Sequence, residues 1–501
     1  MSRATHDRAP VSTHVYFFAS SAASEIFLLN NTEHYLTPEL EQGRSISENI
    51  VQEPSDAAVR LNEVAVVSMH SGMRPLARAR LPILVWVLGW VLSSGVAFAD
   101  AAQFVTDDAA VERILELADQ RLAVMPAVAA VKWQTKAPIF DPPRENAVIQ
   151  RAQDLAAPMG LVSDPVKRLF ELQARLAREV QSSLHEDWKA RGFSYAEPVT
   201  TLAALRPRLD GLTVDLLQAI YLAAPVLQRD EFEAHYAALA QQRLHSAGWN
   251  DQNRHDLLDV LHSVRETPVP ALQRISSSGL LRVGTTGDYA PFSLEANGSL
   301  SGSDIELAQK LADQLHARAV FIHTSWTSML EDLGRGAFDL SMGGVSITPA
   351  RQAQGAFSTP YSSGGKTILA RCADSGKFRD GLASVDRPKV RVIVNPGGTN
   401  EQYVRSNLHH ARIVVYPDNR AIFDEIAAGR ADVMITDDVE AELQARHHPG
   451  LCRALPGTLT HADKAILMPR DPDLVKAVND WLSPAIATGE PERLLKSYLE
   501  R

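Results

Sequence analysis

Leu281-Arg-Val-Gly-Thr-Thr-Gly-Asp-Tyr-Ala-Pro-Phe-Ser293 lies where the chain changes character. Its opening belongs to a short β-rich run, Leu280–Thr285. Five further runs follow: Ala319–Ile322, Leu340–Val345, Lys389–Val394, Ile413–Tyr416 and Val433–Thr436. Helical stretches such as Ser303–Leu315 and Asn419–Ala428 lie between them. Alternating strands and helices predict an α/β domain on a mostly parallel sheet, with ligand sites at the carboxyl ends of the strands.

Upstream the period is that of a helix. Val111, Ile114, Leu115, Ala118 and Leu122 follow i, i+3, i+4 spacing, with Asp107 and Asp108 as cap and first-turn charge. Prolines at 138, 142 and 143 interrupt the pattern, and a helix can restart at Pro143. Further helices are expected from about Ser163 to Lys189 and over roughly 199–223, 229–247 and 251–264. The expected organisation is therefore multidomain: an all-α domain over 100–266, a linker over 267–274 around Thr267-Pro-Val-Pro270, and the α/β domain over 275–501.

A length of 501 residues has room for these cores, and a formal charge of -10 argues against a nucleic-acid partner. Arg74, Arg78 and Arg80 precede the apolar run Leu81–Leu92, and Ala97-Phe-Ala99 follows. That pattern predicts a signal peptide over 73–99, cleaved after Ala99, with export to a periplasm-like compartment. The run is shorter than the roughly 20 residues of a membrane span, so no stable membrane anchor is expected. Residues 1–72 are expected not to belong to the natural product, with translation starting at Met73 or Met69.

Cys372 and Cys452 are the two cysteines. In an oxidising compartment they suggest one disulfide, against two isolated buried thiols. Neither has a partner at metal-ligand spacing, so no metal site is expected. Gly365-Lys366-Thr367 imitates the end of a phosphate loop, but Pro360 stands where such a loop needs glycine.

Arg121 and Lys132 are 11 residues apart, nearly three turns, which places both on one helix face with an apolar wall of Ala and Val between them. Arg144 opens the next helix beside Glu145. The pattern Arg121-Leu-x3-Pro-x5-Lys132-Trp133, then Pro138-Ile139, Arg144-Glu145 and Gln181, resembles the secreted, gamma-class chorismate mutases over roughly 105–250. That resemblance implies rearrangement of chorismate to prephenate. Arg121 and Arg144 would bind carboxylates, Lys132 and Gln181 would donate to the ether oxygen, and Glu145 would hold the ring hydroxyl. The pericyclic step needs fixation and charge stabilisation, not a nucleophile. Ala177 departs from a hydroxyl residue of the family. A further family arginine aligns near Asp215, with Arg208 as its candidate substitute.

In the α/β part, Ser346 and Thr348 offer hydroxyls, Arg351 a bidentate fork, and Gly397-Gly398-Thr399 backbone donors and a hydroxyl. With Leu281–Ser293, Gly302-Ser-Asp304 and Ser341–Arg351, residues 275–501 resemble periplasmic solute-binding proteins of the polar amino-acid type. Two lobes are implied, one about 275–370 with 461–501 and the other about 371–460. Thr324-Ser325-Trp326, Gly365-Lys366-Thr367, Asn395–Glu401 and Met434-Ile-Thr-Asp437 together resemble the cyclohexadienyl dehydratases. This implies conversion of prephenate to phenylpyruvate, and of arogenate to phenylalanine, without a cofactor.

By that resemblance Glu401 is the general acid, kept protonated by a closed cleft. Trp326 would wall the ring, Arg351, Ser346 and Thr399 would hold carboxylate, and Asp288, Lys366 and Asp437 would complete the cleft. The helical resemblance also raises a homodimer. The competing expectation is an amino-acid-binding protein of a transporter with a helical partner domain. Glu401 with Trp326 favours the bifunctional enzyme, as does the match between the product of one module and the substrate of the other.

Overall fold

The computed structural model describes residues 102–195 and 200–501. The signal peptide expected over 73–99 and the extension over 1–72 lie outside the described residues. The helical domain comprises α1 (Asp107–Ala123), α2 (Met125–Thr135), α3 (Pro142–Ala156), α4 (Ser163–Ala190), α5 (Leu202–Leu227), α6 (Phe232–Arg243) and α7 (Asp251–His262). Thr106, not an aspartate, caps α1: its side chain accepts from the Ala109 N–H at 3.2 Å. Asp107 and Asp108 fill the first turn, where their charge suits the positive end of the helix.

Arg121 and Lys132 do not share one straight helix, as their spacing suggested. α1 ends at Ala123 and α2 begins with Pro126 in its first turn, because proline can donate no hydrogen bond back into a continuous helix. The apolar stripe of α1, with Ile114, Leu115 and Ala118, packs on Leu216, Leu217 and Ile220 of α5. Each fully buried Leu or Ile of this kind contributes about 1.5–3 kcal/mol.

The expected linker over 267–274 is shorter than predicted. α8 (Ala271–Ser278) starts inside it and buries Ala271 and Ile275 in the α/β core. There follow β1 (Leu280–Thr285), β2 (Asp288–Tyr289), β3 (Ser293–Ala296), β4 (Ser299–Ser301), α9 (Ser303–Gln314), β5 (Arg318–His323), α10 (Met329–Gly334), β6 (Leu340–Ser341), α11 (Pro349–Gln352) and β7 (Ala356–Phe357). The chain then crosses on β8 (Ser362–Gly364) into β9 (Lys366–Arg371), α12 (Leu382–Val385), β10 (Arg391–Val394), α13 (Thr399–Asn407), β11 (Arg412–Val415), α14 (Ile422–Ala427), β12 (Val433–Asp437), α15 (Asp438–His447) and β13 (Leu451–Arg453). It returns through β14 (Ala462–Lys464) to β15 (Leu467–Met468), α16 (Pro472–Ala487) and α17 (Glu490–Leu499).

Two five-stranded sheets result, in the orders β5-β1-β6-β15-β7 and β11-β10-β12-β9-β13. One strand in each runs against the other four, β15 in the first lobe and β9 in the second. Each reversed strand is the first that the chain lays down on arriving in its lobe. β9 pairs with β12 and β13, so the second lobe begins at Lys366 and not near 371. β8 pairs with β14, which makes the two crossings one short ribbon. Cys372 and Cys452 form a disulfide, with Cα atoms 4.8 Å apart, that ties β9 to β13.

The helical domain and the first lobe share a core. Leu280 of β1 and Val320 of β5 belong to the helical cluster. The residues before α1 also lie on the α/β side, which moves that boundary: Val105 N–H bonds to Phe321 O at 2.9 Å, and Leu300 N–H to Ala102 O at 2.6 Å. Gly287, with φ +65°, leaves room for the Phe104 ring, since a Cβ there would come within 2.9 Å of it. At the centre of the seam, fully buried Asp339 accepts from Arg282 (3.0 Å) and Arg274 (2.5 Å), and the Arg282 guanidinium lies 4.6 Å over Tyr221 of α5.

Asp339→Asn would leave two guanidinium groups without their anion in a dry seam. Removing one member of a buried ion pair costs about 3–5 kcal/mol. Thermal unfolding followed by circular dichroism should show a clear drop in Tm; an unchanged Tm would contradict this account of the seam.

Candidate active sites

The first site lies within the helical domain. α1, α2, α3, α4 and α5 enclose a cavity of ≈ 180 Å³ lined by Arg121, Lys132, Arg144, Glu145 and Gln181 together. Arg144 and Glu145 also line an adjoining cavity of ≈ 140 Å³. All five residues expected from the sequence therefore meet, although they come from four helices. Arg121 is buried over the Phe170 ring, with Nη1 donating to Thr213 Oγ1 (2.6 Å) and to Leu209 O (3.0 Å). Burial lowers its pKa to about 10, opposed by Asp210. Its Nε has no partner, and neither has Gln181 Oε1.

Lys132 Nζ donates to Ile139 O at 2.8 Å. Burial lowers its pKa, while Asp141 and Glu145 oppose the shift. Gln181 Nε2 donates to Ala177 O at 2.9 Å. The wall also contains residues that sequence reading missed. Arg178, three residues before Gln181 on the same face of α4, pairs with Glu145. Arg206 lines the cavity, not the Arg208 expected as the extra cation. Thr213 brings a hydroxyl from α5, while Ala177 brings none. Cations thus outnumber carboxylates around an apolar wall, the arrangement that a small polyanion would complete.

The second site lies between the lobes. Trp326, Ser346, Arg351, Thr399 and Asp437 surround a cavity of ≈ 20 Å³, together with Tyr289, Asn400 and Glu440. Arg351 follows the N-cap Thr348 on α11, so its direction is set by a helix start. Its Nη1 donates to Ser346 O at 2.8 Å, the guanidinium stands 5.7 Å over the Trp326 ring, and burial lowers its pKa to about 10. Asp437 is buried at the end of β12. It accepts from Lys366 (2.6 Å), from Lys464 (2.8 Å) and from the Tyr289 hydroxyl. Burial would raise its pKa, but the two ammonium groups outweigh it and hold the carboxyl far below the usual range. Lys366 also donates to Thr399 Oγ1 (2.9 Å) and Asn400 Oδ1 (2.5 Å).

Asp288 stands outside this ring. It lines an outer cavity of ≈ 860 Å³ and accepts from Trp326 Nε1 at 3.1 Å, so it steers the indole from behind. Lys464 and Glu440 were missed by sequence reading. Lys464 sits on the returning ribbon β14, nearly 100 residues after Lys366, with no local motif to mark it. Glu440 is one turn into α15, where the i, i+4 hydrogen bond from Thr436 fixes it. Burial is the main cause that raises its pKa to about 8, with Asp437 and Asp288 adding and Thr436 and Lys366 opposing.

Glu401 departs from expectation. It occupies the third position of α13 and accepts from the Gly397 N–H at 2.8 Å, as a capping-box glutamate does. Arg405, one turn on, pairs with it at 2.7 Å. The Gly397 N–H first, and then Arg405, hold its pKa below the ordinary value rather than above it. The helix start itself still faces the cleft, since Gly398, Thr399 and Asn400 line the cavity.

Residues 281–501 match the bacterial extracellular solute-binding proteins, family 3, and residues 108–182 match chorismate mutase type II. A cyclohexadienyl dehydratase of Pseudomonas aeruginosa is 45% identical over 231 residues, which cover 46% of this chain and 86% of that protein. The L-cystine-binding protein TcyJ of Escherichia coli is 28% identical over 232 residues, covering 46% and 85%. Among solved structures, an ancestral cyclohexadienyl dehydratase is 44% identical, with 47% of this chain and 99% of that one covered and a TM-score of 0.30. The chain therefore belongs to the family of cyclohexadienyl dehydratase within the family-3 solute-binding proteins, and it carries a chorismate mutase type II domain ahead of that part.

Proposed function

We propose that the protein is a bifunctional enzyme of phenylalanine biosynthesis. The helical domain rearranges chorismate to prephenate, and the α/β domain converts prephenate to phenylpyruvate. The observation that carries this reading is the pair of cation-rich cavities, each short of anions, in a chain with a mutase domain and a dehydratase relative. An exported, periplasmic enzyme fits the extracellular character of the family and the Cys372–Cys452 disulfide.

In the mutase cavity Arg121 and Arg144 hold the two carboxylates of chorismate. Lys132 and Gln181 face the ether oxygen as it gains charge, and Glu145, steered by Arg178, takes the ring hydroxyl. In the dehydratase cleft Arg351, Ser346 and Thr399 hold carboxylate beside the Trp326 ring. The ring carboxylate leaves as carbon dioxide, its bonding electrons enter the ring, and the ring hydroxyl leaves as water once protonated. One proton is consumed, so an acid is required.

Glu401 is the proposed donor. It stands on the helix turn whose Gly398–Asn400 line the cleft. An arriving dianion repels its charge and displaces water, and both effects raise a carboxyl pKa. To act, Glu401 must leave Arg405 and the Gly397 N–H.

Arg144→Ala should lower kcat/KM for chorismate by about 10–150-fold, the loss of one charged contact of about 1.5–3 kcal/mol, and spare prephenate turnover. Steady-state assays with each substrate separately decide this, and a parallel fall of both activities in a folded variant would break the two-site reading. Glu401→Gln should lower prephenate kcat by about 10²–10⁴-fold with chorismate turnover intact. Arg405→Ala removes a group that favours ionised Glu401, so the carboxyl should stay protonated to higher pH and the alkaline fall of kcat should move upward. An unmoved limb would count against Glu401.

The other buried carboxyl makes a separate prediction. Glu440 is neutral at pH 7 and ionises near pH 8, facing Asp437, Lys366, Asp288, Thr436 and Tyr289. Its ionisation adds an anion beside a dianionic substrate, so KM for prephenate should rise above about pH 8. In Glu440→Gln that rise should vanish; its persistence would mean that another group titrates.

A further inference from the structure

The hydrogen-bond acceptors of the dehydratase cleft are already taken by the cations of the chain. Asp437 is the one ionised carboxylate lining the inner cavity. Lys366 occupies its Oδ1, while Lys464 and Tyr289 occupy its Oδ2. The neighbouring acceptors are used in the same way. Lys464 Nζ reaches Gly344 O at 3.1 Å and Ser346 Oγ at 3.2 Å, and Arg351 reaches Ser346 O. Glu440, the other carboxyl at the wall, is neutral at pH 7.

Three cations thus face one anion, an excess of two positive charges in a dry cleft. Prephenate brings two carboxylates and a ketone, which matches that excess. Arogenate, its amino-acid counterpart, brings the same carboxylates and an ammonium. A buried ammonium needs an ionised or strongly polar acceptor, and leaving it unpaired is expensive. The unpartnered amide oxygens of Asn395 and Asn419 suit the neutral ring hydroxyl of either substrate, not a full charge.

Resting on the dehydratase reading above, we propose that Lys464 is a specificity-determining residue: with Lys366 it fills Asp437 and commits the cleft to the dianionic keto acid. Removing its charge while keeping its length opens Asp437 Oδ2 to a substrate ammonium and subtracts one positive charge.

The test compares kcat/KM for prephenate and for arogenate in the full chain, in wild type, Lys464→Met and Lys464→Arg. Wild type should prefer prephenate by about tenfold or more, and Lys464→Met should move the ratio toward arogenate by about 10–100-fold, mainly through the KM for prephenate. Lys464→Arg should keep the wild-type preference. Chorismate turnover by the same samples reports whether each variant is folded. Equal use of both substrates by wild type overturns the proposal whatever the variants do, as does an unchanged ratio in folded Lys464→Met. Turnover of neither substrate by wild type overturns the dehydratase reading itself, a result distinct from the other two.

Discussion

A carboxylate that keeps its charge away from water must be surrounded by donors, and Asp437 shows what that constraint does to a cleft. Two lysines from different segments, one on β9 and one on β14, converge on it from the two strands that leave the interlobe ribbon. Their ammonium groups then organise the rest. Lys366 orders Thr399 and Asn400 at the start of α13, and Lys464 orders Gly344 and Ser346 on the first lobe. Both lobes are therefore tied to one anion. Taking that anion away would leave two buried ammonium groups without compensation, which is far costlier than the loss of two surface contacts.

The mutase cavity applies the same physics with the anion left to the substrate. Arg121 is buried with its Nε unpartnered, and Gln181 has an unpartnered Oε1 in the same wall. Buried polar groups without partners cost about 1–3 kcal/mol each, so a site that carries them binds strongly whatever supplies the missing bonds. Part of the stability of the helical domain is thus given up for ligand affinity, and the tight α1–α5 packing offsets it.

Much of this was legible in the sequence. The helix period located α1 and α4, and the strand run Leu280–Thr285 is β1 to the residue. The mutase cations were found because they fall in a short pattern on adjacent helices. Lys464 could not be found in that way. Its partner lies 27 residues earlier, across a lobe crossing, and no local spacing records the approach. Protonation states were harder still. Glu401 and Glu440 are both glutamates on helices near one cleft. Only the contacts separate them: a backbone N–H and an arginine lower the first, and burial raises the second. Arg206 was passed over for Arg208 because helix phase near Pro207 is difficult to assign from spacing.

The seam between the domains bears on how the cleft must move. The first lobe shares its core with the helical domain through Leu280 and Val320, and the strand-like segment before α1 clips onto β5. These two parts behave as one packed body, so opening falls to the second lobe. An opening is required, because a cavity of ≈ 20 Å³ has room for about one water and prephenate is many times larger. The chain enters and leaves the second lobe through β8 and β14, and Gly364 and Gly365 stand at that crossing. A Cβ at Gly365 would come within 1.8 Å of Thr460 O, so the two crossings lie closer together than any side chain would permit. A hinge that is only two strands wide turns easily, whereas Asp437 with its two lysines resists the turn until a substrate anion takes over their charge.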